Sequence, residues 1–346
     1  MAKTETGRVW IRRWLILIAV MVYAMILIGG MTRLTDSGLS ITEWDPISGA
    51  LPPIGHEAWL AEFDKYKQTA EFQQQNYNMT LGEFEYIYWW EWGHRLFGRL
   101  IGLVAIGGFI VFAARKWMGR NLSLRLLVLI ALGGLQGAIG WWMVSSGIGE
   151  TDRLDVAPYR LMTHFVLALI IIGYTAWLWL DLGRRSAVQV KPLLRKFAII
   201  LAILITVQMA SGALVAGLDA GRTYTDWPLM NGEFVPSNYV ETQLGVRSLF
   251  EGRAATQFNH RILAYIIWAL AMASAWLSWR TAARSQFVWL GGLVTLQAVW
   301  GIGTLLSGAP LQLAIVHQAL GVIVFVAAIR LMWISRTPTE LRSPSS

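Results

Sequence analysis

The chain has 346 residues, 55% of them hydrophobic and only 14% charged, with a formal net charge of +8. A soluble protein would carry about 25% charged residues, so the composition excludes the soluble globular classes and points to a polytopic membrane protein. Cysteine is absent, which excludes disulfides, iron–sulfur clusters, thiolate zinc sites and covalently attached c-type haem, and no basic stripe suggests nucleic acid as a partner.

Eight apolar runs reach spanning length, ~20 residues. The first is about Trp14–Met31; it lacks a small-residue cleavage site and reads as a spanning helix rather than a signal peptide. The next three are about Leu96–Ala114, Leu126–Val144 and Leu161–Leu180. After a basic break at Gly183–Lys196 come about Phe197–Gly217, Ile262–Trp279, Phe287–Leu306 and Leu311–Met332. The breaks on one side are basic: Lys3, Arg8, Arg12 and Arg13; Arg115, Lys116, Arg120 and Arg125; Arg184, Arg185, Lys191, Arg195 and Lys196; Arg280 and Arg284; Arg336 and Arg342. The positive-inside rule makes that side, and so both termini, cytoplasmic. The opposite side carries two long loops, 32–90 and 218–257, the first of them acidic. Within it, Met79–Trp92 is free of proline and could extend the second helix beyond the membrane.

The two halves repeat. Asp36-Ser37-Gly38, Thr42-Glu43-Trp44, Gly49 and Pro53 are answered at constant offset by Asp219-Ala220-Gly221, Thr225-Asp226-Trp227, Gly232 and Pro236. Gln136, Gly140, Ser146 and Gly147 in the third run are answered by Gln297, Gly301, Ser307 and Gly308 in the seventh. Four helices per half is an even number, so both halves enter the membrane in the same direction and the repeat is parallel. The expected architecture is all-α: two four-helix bundles, 1–182 and 183–346.

His94, His164, His260 and His317 each fall near the start of an even-numbered run, at the outer side. Alone, any one of them would read as a hydrogen-bonded interfacial residue. Four in repeat-related pairs read as haem or metal ligands, because two imidazoles from facing helices can hold haem iron at both axial positions. Bare zinc or copper fits less well, since no third ligand type recurs with them. His56 has no repeat partner and reads as a solvated loop residue. Arg95 and Arg261, each directly after a ligand candidate, could pair with haem propionates or close a loop salt bridge. Trp44 and Trp227 read as belt or loop-packing residues, and the glycines of the third and seventh runs as close helix packing.

One difference between the halves stands out. Glu91-Trp92-Gly93-His94-Arg95 returns as Gln257-Phe258-Asn259-His260-Arg261, with the carboxylate replaced by an amide. A residue three before a histidine shares its helix face. A titratable group beside one site alone suggests proton-coupled chemistry there, with the other haem supplying electrons.

These motifs, with His317-Gln318 and Thr42-Glu43-Trp44-Asp45-Pro46-Ile47-Ser48-Gly49, make the chain resemble the haem A synthase family from about Arg13 to Met332. Without cysteine it is similar to the branch of alphaproteobacteria and mitochondria. The resemblance implies oxidation of a methyl group of haem O to a formyl group, by successive hydroxylations, to give haem A for cytochrome oxidase. It implies that the N-terminal half holds haem O through His94 and His164, with Glu91 as the essential carboxylate. The C-terminal half would hold haem b through His260 and His317. A bacterial inner membrane, with the haem sites toward the periplasm, is the implied setting. The expected partners are haem O and membrane lipid; the sequence leaves open the electron donor, a handover contact with haem O synthase (the farnesyltransferase), and a second copy in a homo-oligomer. Two other readings share features with this one. A di-haem b membrane cytochrome for electron transfer would use the same histidines but gives no reason for the Glu91/Gln257 difference. A transporter would share the parallel repeat but would place charges nearer mid-membrane.

Overall fold

The computed structural model describes residues 2–149, 151–183, 188 and 190–336; Arg184, Arg185 and Arg342 of the basic breaks lie outside the described residues. Among those residues the chain is built of α-helices and short 3-10 turns. Eight helices are long and apolar enough to cross a membrane: α1 (Glu5–Leu34), α4 (Leu81–Ala114), α5 (Arg120–Val144), α6 (Pro158–Asp181), α7 (Pro192–Gly217), α9 (Arg253–Leu277), α10 (Arg284–Leu306) and α11 (Leu311–Ile334). Seven of them contain an expected apolar run whole, whereas α9 ends at Leu277, two residues before the run's expected end at Trp279, and α11 runs on through Trp333 and Ile334. Three short helices sit in the connections: α2 (His56–Tyr66), α3 (Ala70–Gln74) and α8 (Ser248–Glu251). Loop 32–90 is therefore partly ordered into helix, which its acidic composition did not announce.

Local chemistry sets the ends. The Thr4 hydroxyl accepts the Gly7 amide at 3.0 Å and starts α1. Helix α4 opens on a capping box: Thr80 Oγ1 accepts the Glu83 amide, and the Glu83 carboxylate takes the Thr80 amide at 2.8 Å. Its 34 residues amount to roughly 50 Å at ~1.5 Å per residue, more than a hydrocarbon core of ~30 Å. The expected extension over Met79–Trp92 is thus helical from Leu81 onward. Helices α1 and α7 end on the same turn, with Asp36 and its counterpart Asp219 both left-handed (φ 49° and 52°).

The chain forms two compact units, Met1–Ile171 and Ile172–Ser346, whose boundary falls inside α6. In the first, α1 packs on α4 and α4 on α5, while Gln136 of α5 bonds His164 of α6. The early turns of α4 carry a small aromatic core with the connecting helices. Phe63, Tyr66, Phe84, Ile87 and Tyr88 are buried together, and Phe84 stacks at 4.9 Å on Phe63 and 5.3 Å on Tyr66. In the second unit, α7 contacts α9, α9 contacts α10, α10 contacts α11, and α11 returns to α7, a closed four-helix ring. Large apolar side chains stay exposed on the spans, Leu103 at 67% and Val299 at 62%, as helices bathed in lipid require.

Candidate functional site

Every one of the four paired histidines stands against a glycine of the preceding spanning helix. A β-carbon at Gly140 of α5 would lie 2.9 Å from His164 Cε1, and one at Gly301 of α10 would lie 2.7 Å from His317 Cε1. At Gly212 of α7 the distance to His260 Cε1 is 3.2 Å, and at Gly29 of α1 it is 3.2 Å to His94 Nε2. Gly29 and Gly212 stand at the offset that relates Asp36 to Asp219. The glycines of the third and seventh runs thus do more than let backbones approach: they leave the space in which an imidazole stands. His94 and His164 lie close enough to interact electrostatically, as do His260 and His317. The structure therefore brings together the pairs that the repeat suggested.

Three of the four are also held by a glutamine. Gln136 Nε2 donates to the His164 carbonyl at 3.0 Å and lies 3.2 and 3.3 Å from the two ring nitrogens. Gln208 treats His260 in the same way, at 3.0 Å from its carbonyl and 3.2 and 3.1 Å from its ring. So does Gln297 with His317, at 3.0, 3.2 and 3.4 Å. Gln136 and Gln297 were visible as repeat-related residues without a role; Gln208 was missed. The offset that pairs the outer loops was the signal that could have found it.

Glu91 is buried, at 3% exposure, and four bonds converge on its carboxylate. Oε2 accepts Ser40 Oγ and the Ile41 amide, each at 2.8 Å. Oε1 accepts Arg95 Nε at 3.1 Å and Nη2 at 2.6 Å. Arg95 continues to the carbonyls of Ile41 (2.9 Å) and Glu43 (2.8 Å). In the second unit Arg261 takes the carbonyls of Tyr224 (3.1 Å) and Asp226 (2.9 Å), at the same repeat positions, and Leu229 besides (3.1 Å). Both arginines thus fasten an outer loop to the helix that bears the histidine; neither donates to the histidines. Gln257 cannot do what Glu91 does. Its Nε2 donates to the Tyr224 carbonyl at 2.9 Å, whereas Glu91 receives an amide from the matching Ile41. Ser40 is the partner of Glu91 that the sequence did not reveal.

His56 is exposed at the start of α2 and apart from the pairs. Trp44 stacks on Trp141 at 5.9 Å, and Trp227 donates to the Tyr265 hydroxyl at 2.8 Å. Among the described residues no group of three or more His, Cys, Asp or Glu gathers as metal ligands would. What the pairs fit is a group ligated from two sides. The cradles opposite the rings are glycine, and Oε1 of Gln136, Gln208 and Gln297 is buried with no hydrogen-bond partner among the described residues. A ligating imidazole needs an acceptor for its second ring nitrogen, and an orphaned amide oxygen beside it suits that need.

The family model for COX15-CtaA, cytochrome oxidase assembly protein, matches residues 12–329. A protein of Hyphomonas neptunium called Heme A synthase is 61% identical over 97% of this chain and 97% of its own length. Proteins of the same name from Maricaulis maris and Paracoccus denitrificans are 47% and 45% identical, over 93% and 95% of this chain and 95% and 89% of their own. A family match spanning nearly all of the membrane helices, and relatives aligned end to end, leave one conclusion: the chain belongs to the COX15-CtaA family of cytochrome oxidase assembly proteins.

Proposed function

We propose that this chain, a multi-pass membrane protein, is a haem A synthase with its labour divided between the units. It is an oxidoreductase that converts haem O to haem A. In this reading His94 and His164 hold the substrate haem, and His260 and His317 hold haem b. The observation that carries it is the repeat of two glycine-seated histidine pairs in a chain whose relatives bear the name Heme A synthase. Haem b, when bound, supplies one-electron chemistry.

The chain's own residues do the rest. The glycine cradles and glutamine amides orient the imidazoles. Arg95 and Arg261 fasten the outer loops to α4 and α9; their donors are directed to loop carbonyls, so a role toward propionates would require those bonds to exchange. Glu91 is a buried carboxylate three residues before His94 on the same helix. Each hydroxylation with oxygen and two electrons from the reductant takes up two protons as one oxygen atom leaves as water, and Glu91 Oε2, bonded to the Ser40 hydroxyl, is the atom we assign to deliver them. The matching amide of Gln257 has no such capacity, which suits a site that only passes electrons. The same reading puts both termini in the cytoplasm, the histidine pairs toward the periplasm of a bacterial inner membrane, and haem O arriving by handover from the farnesyltransferase that makes it.

The test is turnover by purified protein supplied with haem O, a chemical reductant and oxygen, with products separated by chromatography. Haem A should form. Glu91→Gln should slow it at least ~100-fold, the usual contribution of a general acid or base, and the hydroxylated intermediate should accumulate. A Glu91→Gln rate equal to wild type would remove the proton role, and no haem A from the wild type would remove the synthase reading.

A further inference from the structure

The repeat that supplies three glutamines omits the fourth. Gln208 precedes Gly212 by one turn of α7. The position that precedes Gly29 by one turn of α1 holds Met25. Its methyl group packs toward α4, 3.2 Å from where a β-carbon of Gly98 would stand. A thioether is at best a weak acceptor and offers no amide oxygen to the second ring nitrogen, and among the described residues the His94 ring has no hydrogen bond. The ring also sits differently. His94 and His260 stand at the same two distances, 3.2 and 3.8 Å, from the β-carbon positions of their glycines. His260 presents Cε1 and Nδ1 there, as His164 and His317 do, while His94 presents Nε2 and Cδ2. That is a half-turn about the Cβ–Cγ bond. Hydrogen bonds are what select between the two orientations of an imidazole, and His94 has none to select with.

We propose that His94 is the exchangeable axial ligand of the substrate haem and His164 the fixed one. The inference rests on the assignment of that haem to the N-terminal pair. Outer hydrogen bonds orient a ligating histidine and raise its basicity, and their loss commonly weakens metal binding 10- to 100-fold. His94 therefore lets go first. With His94 released, His164, held by Gln136, would keep the substrate haem in place and leave it one ligand short. The haem b pair has a glutamine on both sides and stays closed. Met25 is thus a positioning residue, acting through His94 by the acceptor it does not offer.

The experiment is carbon monoxide binding to the reduced, haem-loaded protein, followed optically at the bands of each haem, with haem content per chain measured separately by extraction. A haem with two histidine ligands takes carbon monoxide only as fast as one of them leaves. In the wild type the substrate haem should bind it and haem b should not. Met25→Gln should slow binding at the substrate haem about three- to tenfold, the effect of one added hydrogen bond of ~1 kcal/mol. Gln208→Met should open haem b to carbon monoxide. If both variants load haem normally and neither changes its rate, the assignment of His94 is overturned and the haem reading stands. The assignment equally falls if wild-type haem b binds as fast as the substrate haem, or if the substrate haem does not bind at all. Absence of any haem from the N-terminal pair overturns both. Should Met25→Gln fail to fold, the Gln208→Met arm decides alone.

Discussion

At Gly301 a single hydrogen in place of a methyl group decides whether an imidazole has room. A β-carbon there would stand 2.7 Å from His317 Cε1, nearer than carbon atoms tolerate, and α10 and α11 are packed along their length. Gly301→Ala should therefore displace the ring and lower haem b content to less than roughly half, in line with the 10- to 100-fold loss that disturbed ligand surroundings produce, while the substrate haem is retained. Extraction and chromatography read both, and unchanged haem b would contradict the cradle. The histidines were legible from sequence because they recur beside short contiguous strings such as His94-Arg95 and His260-Arg261. Their neighbours were not. Gln208 is 52 residues from His260, in an apolar helix where one amide signals nothing by itself. Ser40 becomes meaningful only when the outer loop folds back onto Glu91.

On the scale of elements, α4 does two jobs: its later turns span and its early turns carry the aromatic core. Phe84 is fully buried there, and Phe84→Ala should cost about 3–5 kcal/mol of that core's stability. It should also loosen Ser40 and Ile41 from Glu91, detectable as faster amide exchange at Ile41. The same lobe buries Glu71, at 2% exposure. Burial pushes its carboxyl up to about 8; the charges of Asp155, Asp36 and Glu91 add to the rise and the Tyr66 hydroxyl opposes it. An acid whose pKa rises on folding holds its proton more tightly in the folded state. The lobe's stability is then complete below the ordinary value of 4.5 and falls as pH climbs toward about 8. Amide exchange in Phe63–Phe72, corrected for its intrinsic pH dependence, should show protection lost between pH 5 and 8, and Glu71→Gln should flatten the profile. A flat wild-type profile would contradict the raised value. None of this lobe was visible in sequence beyond the helical extension itself. Acidic residues scattered over loop 32–90 look solvated until Glu71 is seen buried beside Tyr66. The spanning helices were legible because twenty apolar residues in a row have few alternatives in a membrane, and their true ends were not, because caps such as Thr80 with Glu83 lie outside the apolar runs.

For the molecule as a whole, the repeat is the organising fact. Both arginines take carbonyls at matched positions, Ile41 with Tyr224 and Glu43 with Asp226. In the proposed reading, function enters where the repeat is broken, at Glu91/Gln257 and at Met25/Gln208. The proposed topology, with the basic breaks inside, puts loop 32–90 outside. With no native cysteine, His56→Cys in intact spheroplasts should react with an impermeant maleimide and Arg280→Cys should not; the reverse pattern would invert the topology. The division of labour is tested most directly by counting haems in purified protein and in two variants. Wild type should yield haem B together with haem O or haem A; His94→Ala should lose the O and A fraction and keep haem B, and His260→Ala should lose haem B and keep the other. Haem B alone at two per chain, in cells that make haem O, would contradict the account and leave an electron-transfer cytochrome in its place.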